Sequence, residues 1–224
     1  SMSKQVLVAP STHPCPLGDL LEYAKSLLAN GADWLHCDIM DGKFVADKTF
    51  DELALALVAR RVNLPMDVHL MVVDPMDKIP AFATAGATSI TVHYEAFGST
   101  LEIMQAINLI HDSGCKAGIA IKPATPVVSI ANLLPFVDIV MVMSVEPGKS
   151  GQPFLPNSNS KIAELHAIRH RNRYEYLIEV DGGINRKNVG TVVSLGADVV
   201  VLGSAMYTAD DRRDLIDFIK CVTD

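Results

Sequence analysis

The sequence is poor in charge and has no long apolar run, no basic block and no paired cysteines. Each shortage removes a class of protein. Only 20% of its 224 residues are charged, while 49% are hydrophobic; that balance excludes a disordered chain and a solvated-helix protein. The longest apolar runs, such as "IVMVM" and "VVVL", are too short to cross a bilayer. No basic-then-apolar signal opens the chain, where Ser1 reads as an expression scar ahead of Met2, so a cytoplasmic protein is expected. Net charge is −7, and the one basic cluster, "RHRNR" (Arg169 to Arg173), suits the C-terminal end of a helix. Nucleic acid is therefore not an expected partner. Cys15, Cys37, Cys115 and Cys221 show neither a CxxC nor a paired spacing and read as free thiols in a reducing compartment.

What is present is a strict alternation. Continuous apolar runs read as strands at Gln5–Pro10, Trp34–Met40, Pro65–Met71, Ser89–Tyr94, Ala117–Lys122, Val137–Met143, Glu175–Asp181 and Asp198–Leu202. Amphipathic segments follow them at Leu17–Asn30, Phe50–Arg61, Met76–Ala85, Leu101–Ser113, Val127–Leu134, Ser160–Arg171, Arg186–Leu195 and Asp210–Val222. Runs that are apolar throughout, rather than alternating, are those of parallel strands covered on both faces. "GAD" (31–33), "GAT" (86–88), "SGC" (113–115) and a second "GAD" (196–198) each stand between a helix and the next strand, where glycine suits the left-handed residue that ends a helix. The expectation is an α/β fold, one (β/α)8 TIM barrel occupying residues 1–224 as a single domain. An open doubly wound sheet is the alternative, but "VAPSTHPCPLG" is not its glycine-rich fingerprint.

Polar residues gather where the strands end, which is where barrel enzymes do their chemistry. Side chains two apart share one strand face, so His36, Asp38 and Met40 point together, as do Asp67, His69 and Met71. If that face is the interior, His36, Asp38 and His69 converge at its mouth, and Asp181 joins them from strand seven. Two imidazoles and two carboxylates suit Zn²⁺, Fe²⁺, Mn²⁺ or Co²⁺. Asp41, out of phase and followed by glycine, suits a turn or a supporting hydrogen bond. Asp67 lies a pleat deeper and reads equally as a structural partner; His93 reads as site or structure, and His13 is undecided. Met40, Met71 and Met143 are core fillers or an apolar lid over the site. "DGG" (Asp181–Gly183) and "GS" (Gly203–Ser204) follow strands seven and eight, a pair of places where barrels hold phosphate with backbone N–H groups. "PGKSGQ" is a third small-residue loop, with Lys149 as a cation.

These residues stand in segments that resemble the ribulose-phosphate 3-epimerase family over nearly the whole chain: "VAPS", "HCDIMDGKFV", "DVHLMV", "VHYEA", "KPATP", "VMVMSVEPGKSGQPF", "EVDGGIN" and "GADVVVLGSAMY". The resemblance implies a (β/α)8 barrel with one catalytic divalent metal ion, zinc first among zinc, iron, manganese and cobalt. It implies metal ligands at His36, Asp38, His69 and Asp181, and proton transfer by Asp38 and Asp181. It places substrate contacts at Ser11 and His69, beside the methionines 40, 71 and 143, and phosphate contacts at Gly148, Lys149, Ser150, Gly151, Gly182, Gly183, Gly203 and Ser204. The activity implied is 3-epimerisation of D-ribulose 5-phosphate and D-xylulose 5-phosphate, a step of the pentose phosphate pathway. Proton transfer would run between two bases at C3 through a metal-stabilised enediolate. Its partner would be a small-molecule ketose phosphate, with neither nucleic acid nor membrane, and a homo-oligomer is expected.

Four segments depart from the family pattern. His13 stands where the family usually has an apolar residue, and "PGKSGQ" replaces "PGFGGQ". "VADKTF" replaces a Pro-Asn-rich turn, and "KPATP" replaces "KPGTP". They border the sugar and phosphate, so a hexulose phosphate, as in the allulose-6-phosphate 3-epimerase branch, is the alternative substrate. A Schiff-base aldolase using Lys122 is a rival that leaves the metal set unexplained. So is a non-catalytic binding barrel, which missing ligands would favour; none is missing.

Overall fold

The computed structural model describes residues 5–222. Ser1 and Met2 lie outside them. Eight parallel strands run β1 (Leu7–Pro10), β2 (Leu35–Met40), β3 (Met66–Met71), β4 (Ser89–His93), β5 (Lys116–Ile121), β6 (Ile139–Met143), β7 (Leu177–Asp181) and β8 (Val199–Leu202). β2 to β8 pair in sequence order, and β1 pairs with β8. Between β1 and β2 the ring is joined by a parallel bridge, Ser11 to His36, with the Thr12 amide donating to the His36 carbonyl at 2.9 Å. A nearly closed barrel results, as the unbroken apolar runs require: β2, β3, β4 and β6 are buried at every residue.

Helices cover the outside: α1 (Leu20–Ala29), α2 (Glu52–Arg61), α3 (Pro75–Ala85), α4 (Thr100–Asp112), α5 (Ser158–Asn172), α6 (Val189–Ser194), α7 (Ser204–Tyr207) and α8 (Arg212–Cys221). Side chains start several of them. Asp51 accepts the amides of Leu53 and Ala54, Ser99 that of Glu102, and Asp211 that of Asp214. Such caps contribute about 1 kcal/mol each. The four repeated joints all carry a positive-φ glycine: Gly31, Gly86, Gly114 and Gly196, at φ 95, 121, 85 and 130°. "RHRNR" falls at the end of α5, where Arg173 closes the helix in the left-handed region.

Three helical expectations change. The segment Val127–Leu134 is a 3₁₀ stretch, Val127–Phe136, not an α-helix. Its β-branched start and internal Pro135 deny it a continuous i→i−4 ladder. The helix expected from Arg186 begins only at Val189, because Asn185 and Asn188 bind each other's backbone: Asn185 Oδ1 accepts the amides of Lys187 and Asn188, and Asn188 Oδ1 the Asn185 amide. Such side-chain turns compete with helix. The stretch from Leu17 opens as a 3₁₀ turn, Leu17–Asp19, and turns α-helical at Leu20.

Register positions the site. His36 is level with Asp67, Asp38 with His69 and Met40 with Met71. On the other side Met143 is level with Asp181. The alternate residues Cys37 and Ile39 pack outward into the main core, among residues such as Leu27 and Leu55.

Candidate metal centre

β2, β3 and β7 bring four donor atoms together. His69 Nδ1 lies 3.0 Å from Asp38 Oδ1 and 3.3 Å from His36 Nε2. His36 Nε2 is 3.2 Å from Asp38 Oδ1. Asp181 Oδ2 stands 3.5 Å from both His36 Nε2 and His69 Nδ1. All four atoms lie within 4.8 Å of one another. A tetrahedral cation bound at 2.0–2.2 Å needs donors roughly 3.3–3.6 Å apart; three of the spacings fall in that range, and the two to Asp38 Oδ1, at 3.0 and 3.2 Å, would open slightly around it. The mixed nitrogen and oxygen set suits a borderline divalent cation and does not choose among zinc, iron, manganese and cobalt.

The electrostatics are those of a mutually compensating group. Burial works against charge on every member. At His36 it is outweighed by the Asp38 charge and by hydrogen bonds to Asp181, Asp38 and Asp67, which hold the ring's pKa well above its ordinary value. His69 is raised against burial by its hydrogen bonds to Asp181 and Asp38. Burial likewise opposes ionisation of Asp38, but the His36 charge brings it well below the usual carboxylate range. Asp181 is also lowered, through its bonds to His36 and His69.

Two supporting arrangements hold the histidines. Below His36, its Nδ1 lies 2.8 Å from Asp67 Oδ2, and Asp67 Oδ1 accepts the Ser89 hydroxyl at 2.6 Å. Asp67 thus stands outside the four-donor group and beneath it. Beside His69, Nε2 lies 2.7 Å from His93 Nε2, and His93 Nδ1 lies 3.0 Å from Glu95 Oε1. Burial pushes His93 down to about 4, so it is a neutral ring packed on His69 with centroids 4.9 Å apart. Glu95 in turn accepts the Thr125 hydroxyl and the Lys122 amide. Asp41 makes the turn after β2, accepting the amides of Lys43, Phe44 and Val73.

One residue was missed. Glu179 is fully buried, its Oε2 3.3 Å from His36 Nδ1. Neither of its oxygens completes a hydrogen bond. Burial and the neighbouring Asp67 charge push its pKa well above the usual carboxylate value. The signal was available: in "EVD", Glu179 is in phase with Asp181.

A cavity of about 360 Å³ opens above the group. Asp38 and Asp181 form its floor, Met40, Met71 and Met143 part of its wall, and Gly182, Gly183, Gly203 and Ser204 another part. Gly148, Lys149, Ser150 and Gly151 also line it. His36 and His69 are fully buried behind the carboxylates, not on the cavity wall. Ser11 donates its hydroxyl to Asp38 Oδ2. Lys122 is not part of the lining; its ammonium sits 4.3 Å from the centroid of the Phe44 ring.

The fold and site together define a (β/α)8 barrel enzyme with a buried His/Asp cluster at the C-terminal mouth of its strands. Solved structures agree on the fold: a 3-hexulose-6-phosphate synthase superposes with TM-score 0.66 at 16% identity, covering 100% of both chains. A tryptophan synthase α-subunit from Pyrococcus furiosus does so with TM-score 0.67 at 15% identity, covering 99% and 98%. The sequence goes further. The model of the ribulose-phosphate 3 epimerase family matches residues 7–207. Ribulose-phosphate 3-epimerase of Treponema pallidum is 40% identical, with 94% of this chain and 95% of that protein covered. The Escherichia coli K12 enzyme of the same name is 38% identical, covering 97% and 96%. The chain belongs to the ribulose-phosphate 3-epimerase family and is an isomerase of the epimerase type.

Proposed function

We propose that this protein interconverts D-ribulose 5-phosphate and D-xylulose 5-phosphate, with Asp38 and Asp181 as the two proton-transfer groups. The observation that supports this most is the shared cavity. Two carboxylates on β2 and β7 form its floor, and the glycine-rich ends of β7 and β8 line the same space. A ketose phosphate needs both features, an acid–base pair at one end and close backbone approach to an anion at the other.

His36, Asp38, His69 and Asp181 would hold one divalent cation, zinc being our first choice. Bound there, it supplies Lewis-acid chemistry worth several kcal/mol against developing oxyanion charge. The protein's own groups carry the proton. One aspartate accepts the C3 proton from one face of the sugar; the other, already protonated, gives its proton to the opposite face. Net protonation of the pair is unchanged, and the roles exchange in the reverse direction. Ser11 holds Asp38 Oδ2, fixing that carboxylate in place. Met40, Met71 and Met143 keep water from the reacting carbon. Backbone groups at Gly182, Gly183, Gly203 and Ser204, with the Gly148–Gly151 loop and Lys149, would receive the phosphate.

The compartment and assembly proposed are cytoplasmic and homo-oligomeric. Four free thiols suit a reducing compartment, and no helix among the described residues is long and apolar enough to cross a membrane. The deciding experiment measures epimerisation of ribulose 5-phosphate and allulose 6-phosphate side by side, with and without chelator. Fast, chelator-sensitive turnover of the pentulose is expected. A preference for the hexulose overturns the substrate assignment, and full activity after exhaustive metal removal overturns the metal.

A further inference from the structure

Three of the segments that depart from the family pattern meet at one point on the cavity rim. His13 follows β1, Asp47 follows β2, and Ser150 lies in the loop after β6. His13 Nε2 lies 2.8 Å from Asp47 Oδ2, and His13 Nδ1 lies 2.8 Å from Ser150 Oγ. A carboxylate can only accept, so Nε2 is the donor to Asp47, and Nδ1 faces the Ser150 hydroxyl, which can donate or accept. The partners are 34 and 137 residues from His13.

We propose that His13, Asp47 and Ser150 form a clasp that holds the Pro147–Pro153 loop over the reaction cavity, with His13 as a positioning residue for epimerisation. His13 and Ser150 both line the cavity. The His13 side chain is only 12% exposed, whereas Asp47 is 54% exposed, so the ring is the enclosed hub and the carboxylate its outer anchor. The bond to His13 also holds Asp47 below the usual carboxylate range. Gln152 Nε2 donates to the carbonyls of Glu146 and Lys149, bonds local to the loop and its first flanking residue. The Ser150–His13 bond crosses the mouth instead. A second contact draws the same loops together: a Cβ on Gly148 would stand 2.7 Å from Val45 Cβ. The clasp is also tied to the reacting group, because the His13 amide donates to Ser11 Oγ at 3.0 Å and Ser11 donates to Asp38.

The composition Ser–His–Asp is also that of a hydrolytic triad, but the connections are reversed. In a triad the carboxylate holds Nδ1 and the serine meets Nε2. Here the carboxylate holds Nε2, and the serine stands on a turn rather than a strand-to-helix elbow. That wiring positions a loop and does not activate a nucleophile.

The inference rests on the epimerase reading, but its main test needs no substrate. Amide hydrogen exchange of residues 148–152, the loop positions that carry an N–H, is measured in the wild-type chain, His13→Leu, Ser150→Gly and the double variant, with circular dichroism checking the fold. Each single variant should exchange roughly two- to tenfold faster in the loop, the range of one lost hydrogen bond. The double variant should be no faster than the singles, since both break one link. Asp47→Asn, which keeps an acceptor oxygen, should retain loop protection. On ribulose 5-phosphate, KM should rise in both single variants by a similar factor, with kcat changing less. Unchanged loop exchange in His13→Leu, or additive effects in the double variant, overturns the clasp. Absence of epimerase activity in the wild type overturns the substrate reading and leaves the exchange result standing.

Discussion

His36 faces two ways: its Nδ1 meets Asp67 Oδ2 at 2.8 Å, while its Nε2 faces Asp38, His69 and Asp181. A carboxylate on one ring nitrogen fixes the tautomer and leaves the other nitrogen's lone pair for a cation. On the proposed metal reading, Asp67 would act on the site through His36.

Replacing Asp67 by Asn should weaken divalent-cation affinity roughly 10- to 100-fold. Competition with a chromophoric chelator measures it directly. Wild-type affinity in Asp67→Asn would make the aspartate a packing residue only.

Two bases on opposite faces have an isotopic signature. On the proposed two-base transfer in D₂O, product formed early should carry deuterium at C3 from the acid on its face, while recovered substrate carries almost none, since the abstracting base returns the substrate's own proton before it exchanges. NMR of an early time point reads it. Equal labelling of both sugars would mean one base serves both faces. Asp38→Asn and Asp181→Asn should each lower kcat by roughly 10²–10⁴-fold or more, the range for a lost acid–base group.

Glu95 lends the fold an acid-side pH dependence. Burial opposes its ionisation, but hydrogen bonds from His93, Thr125 and the Lys122 amide bring its pKa below the ordinary 4.5. A carboxylate with a depressed folded pKa contributes stability that is complete above 4.5 and is lost as pH falls through the folded value. Urea unfolding of Glu95→Gln should show a flatter stability profile below pH 4.5 and a loss of about 1–3 kcal/mol at neutral pH. A profile parallel to wild type would remove Glu95 from the acid transition.

Two glycines should respond in opposite directions. Gly183 has φ +68°, and a Cβ there would stand 2.4 Å from the Phe154 nitrogen. Gly183→Ala should cost about 1–3 kcal/mol and raise KM for the sugar phosphate. Gly190 lies within α6, and a Cβ there meets nothing within 4 Å. Gly190→Ala should stabilise by about 0.5–1 kcal/mol. Thermal melts of the two variants decide both.

Much of this molecule is determined locally. Eight apolar runs, each buried on both faces, and four glycine joints specify parallel strands and helix ends without reference to anything distant. The period of two in "HCDIM" and "DVHLM" is enough to put His36, Asp38 and His69 on one face. Local chemistry competes with periodicity at two places: the asparagine turns at 185–188 and Pro135 shorten or alter helices that periodicity alone favours.

Tertiary structure decided what periodicity cannot express. Only barrel closure brings β7 round to β2 and β3, so only it sets Asp181 3.5 Å from both histidines. Register between strands sets Asp67 level with His36, so its carboxylate meets His36 Nδ1 instead of joining the four donors. Glu179 was written in phase with Asp181, but its meaning depends on Asp67 and His36 standing beside it. His13, Asp47 and Ser150 carry no shared pattern along the chain; folding three loops onto one rim joins them. Short-range pattern fixes which face a side chain takes, and chain closure fixes which distant side chain it meets.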